Sequence, residues 1–240
     1  MSFGFDKTSD IFPNFYSKLC LEDRLKIFLS LYNCFVGDEL KIPNKYAKYS
    51  KSISDIFTKR IDDLLYKNKF SVKKCISFCF TSNAIINAYL NGKKLPVFAN
   101  EPKMKVAKLI KSVYKNGDFY LNLDAQILFF NYVFDKIKRR HPDKQIDIKD
   151  NLLILKSDGK GILGVLPIFK EISFERKDEL TEEIDIAKSM ESMSLDLYIV
   201  FPRHSKFTKH IEVKGCFRSG ARLKLVPYSV CNKIYNKGKR

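Results

Sequence analysis

Along the first 140 residues, apolar side chains recur every three or four positions, which is the period of an amphipathic helix. Serine, glycine and proline stand where such helices would begin and end. The pattern predicts five helices, at about 21–35, 54–68, 71–92, 102–116 and 123–140. The third is apolar around nearly its whole circumference, so we expect it to be the buried central helix.

After Pro142 the period shortens to that of strands. Two apolar runs joined by Asp158-Gly159 predict a β-hairpin. An acidic helix is expected at about 176–192, followed by three strands at about 195–201, 210–214 and 222–228. Helices first and strands later predict an α+β fold with a small antiparallel sheet. We expect a mainly helical region, 1–141, and a β-rich region, 142–240, which can pack as one domain.

The hairpin also contains the spacing G-x-G-x-x-G, at Gly159, Gly161 and Gly164. In nucleotide-binding folds this spacing opens a helix whose first amides meet the phosphates. Here the apolar run continues as a strand, and Pro167 would break a helix in its first turns. The pattern therefore favours a hairpin turn over a nucleotide site.

The distribution of charge along the sequence indicates a class of partner. The formal net charge is +17, from 44 Lys and Arg against 27 Asp and Glu. Residues 202–240 hold eleven basic side chains and one acidic, whereas residues 171–196 hold nine acidic and three basic. An excess of this size attracts polyanions over long distances. Abundant Lys, Asn and Ile, with no Trp, also fit an AT-rich coding sequence. Part of the positive charge can therefore reflect codon bias and not function.

The sequence indicates an intracellular protein. The first residues hold no apolar stretch typical of a signal peptide, and no run is apolar enough to span a membrane. Six cysteines show no C-x-x-C spacing and no regular framework, which is typical of free thiols in a reducing compartment. We therefore expect a cytoplasmic location and no membrane partner.

Three groups of basic residues suit contact with nucleic acid. The fourth helix carries a lysine on nearly every turn of its outer face, and the segment 44–51 interleaves lysines with two tyrosines. The predicted contacts are Lys45, Tyr46, Lys48, Tyr49, Lys51, Lys103, Lys105, Lys108, Lys111, Lys115, Arg218, Arg222, Lys224, Lys237, Lys239 and Arg240. The alternative is a solvated lysine face and a pair of half-buried tyrosines.

Two acidic residues and one lysine form a candidate catalytic group. Asp196 opens an apolar strand, and Glu212 and Lys214 alternate on a later one, so they share a face. This arrangement resembles metal-dependent nucleases of the PD-(D/E)xK type. The resemblance implies that the carboxylates hold Mg²⁺ or Mn²⁺ and that the lysine assists the attacking water. The alternative is an ion pair on a solvated sheet face.

These patterns predict a non-enzymatic nucleic-acid-binding protein that needs no cofactor. DNA and RNA are equally compatible with it. The first alternative is the metal-dependent nuclease, with Mg²⁺ or Mn²⁺ as its cofactor. The second is an interaction module whose basic surface docks an acidic protein partner.

Overall fold

The computed structural model describes residues 1–7, 9–67, 80–174, 179–193 and 195–231. Helices and strands are both present in quantity, so the predicted α+β class is confirmed. The chain divides into two compact units, Met1–Asp124 and Ala125–Arg240. The helix that ends at Arg140 opens the second unit, and the boundary expected after residue 141 stays a prediction. Among the described residues, no helix is both long and apolar enough to cross a membrane.

In the first unit, five helices and five short strands are described. The helices are α1 (Leu21–Phe35), α2 (Tyr46–Tyr49), α3 (Ile53–Lys67), α4 (Phe80–Leu90) and α5 (Lys105–Val113). The strands are β1 (Ser2–Phe5), β2 (Asp10–Ile11), β3 (Tyr114–Lys115), β4 (Asp118–Phe119) and β5 (Leu121–Asp124). Strand β1 lies between β2 and β5, and both pairings are antiparallel.

Aromatic rings form much of the core of the first unit. The Phe57 ring on α3 lies 5.8 Å from that of Phe5 on β1 and 5.4 Å from that of Tyr32 on α1, between ring centroids. All three side chains are almost fully buried. Rings at these distances add favourable edge and tilted contacts to the free energy of burial. The apolar face of α3 therefore packs against both β1 and α1.

The predicted central helix is different in the structure. Of its residues, 71–79 lie outside the described part, Phe80–Leu90 form α4, and residues 91 and 92 form a turn. Its buried side chains include Ile85 and Ile86, whereas Phe80 is 72% exposed and Leu90 is 55% exposed. The described part of this helix therefore buries one face only, although its sequence is apolar on several faces.

In the second unit, two helices and six strands are described. The helices are α6 (Ala125–Arg140) and α7 (Thr181–Ser189). The strands are β6 (Gln145–Lys149), β7 (Leu152–Ser157), β8 (Lys160–Pro167), β9 (Asp196–Pro202), β10 (Ile211–Val213) and β11 (Leu223–Tyr228). They form one six-stranded sheet in the order β10-β11-β9-β8-β7-β6.

This sheet is mixed, which corrects the expectation of an antiparallel one. Strand β9 runs parallel to both β8 and β11, while β6, β7 and β8 form an antiparallel meander. A parallel neighbour needs a crossover connection, and the segment with α7 provides one between β8 and β9. The side chains of Leu197, Ile199 and Phe201 on β9 form a buried cluster with Ala187 of α7.

The hairpin between β7 and β8 is confirmed. Asp158 and Gly159 both have positive φ angles, 52° and 76°, as a two-residue turn of type I′ requires. Strand β8 continues through Gly161 and Gly164 to Pro167. No helix opens after these glycines, so the hairpin interpretation of the glycine pattern is correct.

Candidate binding surfaces

The lysine helix, α5, lies with Val106, Ile110 and Val113 buried against its own unit. Its lysines do not form a free outer row. The Nζ of Lys108 lies 2.9 Å from Oε1 of Glu39, and the Nζ of Lys111 lies 2.7 Å from Oε1 of Glu101.

Three more lysines belong to the same predicted group. The Nζ of Lys105 lies 3.4 Å from the carbonyl oxygen of Asp38. Lys103 precedes the helix and is exposed, and Lys115 lies beyond it on β3. The Lys115 Nζ is 5.9 Å from the ring centroid of Tyr120. A phosphate contact at Lys108 or Lys111 would therefore have to replace an internal ion pair.

The two tyrosines of segment 44–51 have separate environments. Tyr46 is buried, 6% exposed, and its hydroxyl donates a hydrogen bond to Oδ2 of Asp63 on α3. Burial and this bond raise the pKa of Tyr46, because both disfavour the phenolate. Tyr49, at the end of α2, is 65% exposed. Only Tyr49 therefore presents a ring to solvent.

Three exposed lysines belong to the same segment: Lys45, Lys48 and Lys51. The Nζ of Lys45 lies 5.3 Å from the ring centroid of Tyr46. The Nζ of Lys48 lies 5.4 Å from the Tyr49 ring centroid, within the range of a cation–π contact. In the described part of the chain, none of the three ammonium groups forms an ion pair with a carboxylate. We call Lys45, Lys48, Tyr49 and Lys51 the Tyr49 patch.

Helix α3 anchors this patch. Lys59 donates from Nζ to the backbone carbonyl oxygen of Tyr49 and forms an ion pair of 2.7 Å with Oδ2 of Asp55. The same Asp55 oxygen accepts a hydrogen bond from the backbone N–H of Lys51, at 2.8 Å. These bonds hold the pKa of Asp55 below its usual range against the opposing effect of burial. The backbone that follows Tyr49 is therefore held by α3.

In the second unit, Asp196 is bound by Arg222. The Arg222 Nη2 and Nε lie 2.6 and 3.0 Å from Oδ2 of Asp196, and the Arg222 backbone N–H donates to Oδ1 at 2.9 Å. The guanidinium holds the pKa of Asp196 below its usual range. Both residues were predicted to serve a site, and the structure pairs them with each other.

Glu212 lies on β10, and β11 separates that strand from β9. In the register, Glu212 is opposite Lys224, and Lys224 is opposite Tyr198. Asp196 is two residues from Tyr198, so it shares this face. Two strand spacings and a two-residue offset put the Cα atoms of Asp196 and Glu212 about 12 Å apart.

A cation shared by two carboxylates lies about 2.0–2.6 Å from each of them. Here Lys224 occupies the position between the two carboxylates, with its Nζ 5.6 Å from the Tyr198 ring centroid. Lys214 follows β10 and is exposed. Among the described residues, no three His, Cys, Asp or Glu side chains are grouped as metal ligands. The predicted nuclease residues thus share a sheet face without converging on one point.

Four predicted contacts remain. Arg218 is exposed, and its backbone N–H donates a hydrogen bond to Oε1 of Glu191. Lys237, Lys239 and Arg240 lie outside the described residues.

An apolar groove in the first unit was missed by sequence reasoning. It encloses about 360 Å³ and is lined by Thr81, Ile85, Leu95, Pro96, Val97, Phe98, Asn100, Pro102, Lys111, Tyr114, Lys115 and Asn116. One wall is the segment Leu95 to Phe98, which forms neither helix nor strand. We call the whole cavity the 95–98 groove. Its wall has no regular period, so the only sequence signal for it is the short apolar run from Leu95 to Phe98.

Comparison with known proteins shows the fold alone. No protein-family model matches the chain, and no curated protein sequence matches it. One similar solved structure is described as a refined half-complex from the tetradecameric assembly of Thermococcus gammatolerans McrB AAA+ hexamers with bound McrC. A chain of that structure aligns with a TM-score of 0.60 and 10% sequence identity, over 95% of this chain and 76% of that chain.

Proposed function

We propose that this chain is a non-enzymatic binding protein that contacts nucleic acid through the Tyr49 patch. The observation that carries the proposal is an aromatic ring, 65% exposed, in the same short segment as three exposed lysines that form no ion pair within the described residues. Exposed rings stack on bases, while ammonium groups contact phosphates. Stacking on a side chain needs an unstacked base, so a single strand fits better than a duplex.

The charge of the first unit supports this proposal. Residues 1–124 hold 21 basic side chains and 12 acidic ones, an excess of nine positive charges. Such an excess raises the local concentration of a polyanion and its rate of association. The lysine helix contributes to this long-range attraction, although Lys108 and Lys111 are held by carboxylates. The direct contacts are therefore assigned to the Tyr49 patch.

The test is binding of a fluorescein-labelled 12-nucleotide single strand, measured by anisotropy. A stacked base contributes about 1–3 kcal/mol, so Tyr49→Ala should weaken binding by about five-fold to 150-fold. Tyr66→Ala is the matched control, because Tyr66 is 86% exposed on α3 in the same unit. Absence of binding by the unmodified protein, or an equal loss in both variants, would refute the proposal.

A second candidate function is docking of a protein partner. The 95–98 groove favours it, because it exposes apolar side chains around a concave surface. The similar solved structure, whose title describes McrB hexamers with bound McrC, offers a parallel at the level of fold. The test compares the partners that co-purify with, or cross-link to, the unmodified protein and Val97→Asp. This function predicts that the variant loses them while its melting temperature is unchanged.

A further inference from the structure

We infer that the 95–98 groove takes a segment of a partner protein in which a bulky apolar side chain stands next to a carboxylate. This inference rests on the second candidate function and names the chemistry of its partner. It is independent of the Tyr49 patch, none of whose residues lines the groove.

The apolar surface extends past the cavity, which favours a macromolecular partner over a small ligand. Val97 is fully exposed, and Phe80 is 72% exposed. The Phe80 ring packs edge-on against that of Phe98, with centroids 6.0 Å apart, so it continues the groove wall. A small molecule inside 360 Å³ would leave these outer side chains in water, whereas a peptide laid across the groove would cover them.

The floor of the groove is preorganised by the core of its unit. Tyr114 is 4% exposed, and its ring lies 5.4 Å from that of Tyr89 on α4 and 5.6 Å from that of Phe119 on β4. Ile85 of α4 is 3% exposed. Because these residues are held by packing, docking needs little further ordering of the protein. An apolar side chain of a partner can therefore occupy the cavity.

Charge at the rim selects the neighbour of that apolar side chain. Lys115 lines the groove, is exposed, and has a ring as its neighbour. Lys111 also lines it, and the carboxylate of Glu101 already binds that lysine at 2.7 Å. Lys93 and Lys94 are exposed where the wall begins. A carboxylate on the partner gains attraction here, and a basic side chain is repelled.

The experiment is selection of random 12-residue peptides displayed on phage against the whole protein. We expect enriched peptides to place Leu, Phe, Ile or Met within two positions of Asp or Glu. A synthetic peptide of the commonest sequence should lose about tenfold or more in affinity for Val97→Asp, because a fully buried valine contributes roughly that factor. Ile148→Asp is the matched control, since Ile148 is a 57% exposed apolar residue in the other unit.

The charge is tested separately with Lys115→Glu, which should shift the enriched peptides from acidic to basic. Peptides that need Val97 but show no acidic preference would overturn the partner chemistry and leave protein docking intact. No enrichment, or binding that survives Val97→Asp, would overturn both. A dimer of this chain that Val97→Asp dissociates would also overturn the inference, because the occupant would then be a second copy. Thermal melting shows whether each variant is folded.

Discussion

Replacing the three lysines of the Tyr49 patch by glutamine should change how nucleic-acid binding depends on salt. Each lysine that contacts a phosphate of a single strand contributes about −0.7 to the slope of log affinity against log salt. Lys45, Lys48 and Lys51 together should contribute about −2.1. A fourfold rise in salt, from about 50 to about 200 mM, would then remove about 18-fold of the affinity through these contacts.

The paired lysines of α5 provide the matched control. If the three patch lysines and the five lysines predicted between residues 103 and 115 all made such contacts, the slope would be about −5.6, and the same rise in salt would reduce affinity about 2,000-fold. The structure favours a slope smaller in magnitude than this, because carboxylates bind Lys108 and Lys111 within the protein. Replacing Lys108 and Lys111 by glutamine should therefore leave the slope nearly unchanged.

The assay is anisotropy of a labelled single strand at about 50, 100 and 200 mM salt, with thermal melting to show that each variant is folded. The patch variant should have a slope shallower than that of the unmodified protein by about 2. An unchanged slope in the patch variant would refute the assignment of contacts. So would a control variant that loses as much slope as the patch variant does.

Three further predictions test other parts of the molecule. No Mg²⁺- or Mn²⁺-dependent cleavage of nucleic acid is expected, and cleavage that Glu212→Gln abolishes would contradict the arrangement of the sheet. Burial lowers the pKa of His204 below its ordinary value of about 6.5. The unfolded state therefore binds more protons than the folded state as pH falls below about 6.5, so stability declines. Between pH 7.5 and 5.5, the unfolding free energy measured in urea should decline less steeply in His204→Gln than in the unmodified protein. In Gly4→Ala the new Cβ would lie 1.8 Å from the carbonyl oxygen of Leu121, so we expect a loss of about 3 kcal/mol or more, against little change for Gly37→Ala.

Local patterns in the sequence predicted local structure well. The Asp158-Gly159 turn needs positive φ at two successive residues, and asparagine, aspartate and glycine adopt it most readily. The apolar faces of α1 and α3 follow from the helical period, since Leu25, Phe28 and Tyr32 are buried on one and Phe57 and Ile61 on the other. In these elements the interactions that decide the structure lie within a few residues of one another.

Strand order was not predictable in the same way. The sequence shows three strands in a row after α7, and neighbours in sequence commonly pair as antiparallel strands. The structure instead inserts the last strand, β11, between β9 and β10. Leu197 and Leu223, which face each other in the β9–β11 register, are both buried in the core cluster of the unit. Strand β11 thus pairs along both edges while its leucines are buried, and no local sequence pattern indicates that central position.

Contacts between residues distant in sequence also explain why two lysine-rich segments of similar composition differ in their ion pairs. Lys108 finds its carboxylate in Glu39, 69 positions earlier in the chain, whereas Lys48 has no carboxylate partner among the described residues. Net charge alone therefore describes the attraction that a distant polyanion feels, and it does not describe the contacts made on arrival. A lysine already paired must exchange one anion for another, so its net gain on binding is small. Affinity should therefore depend more on cations that have no carboxylate partner among the described residues, and three of these share a segment with Tyr49, the one tyrosine of that segment that remains open to solvent.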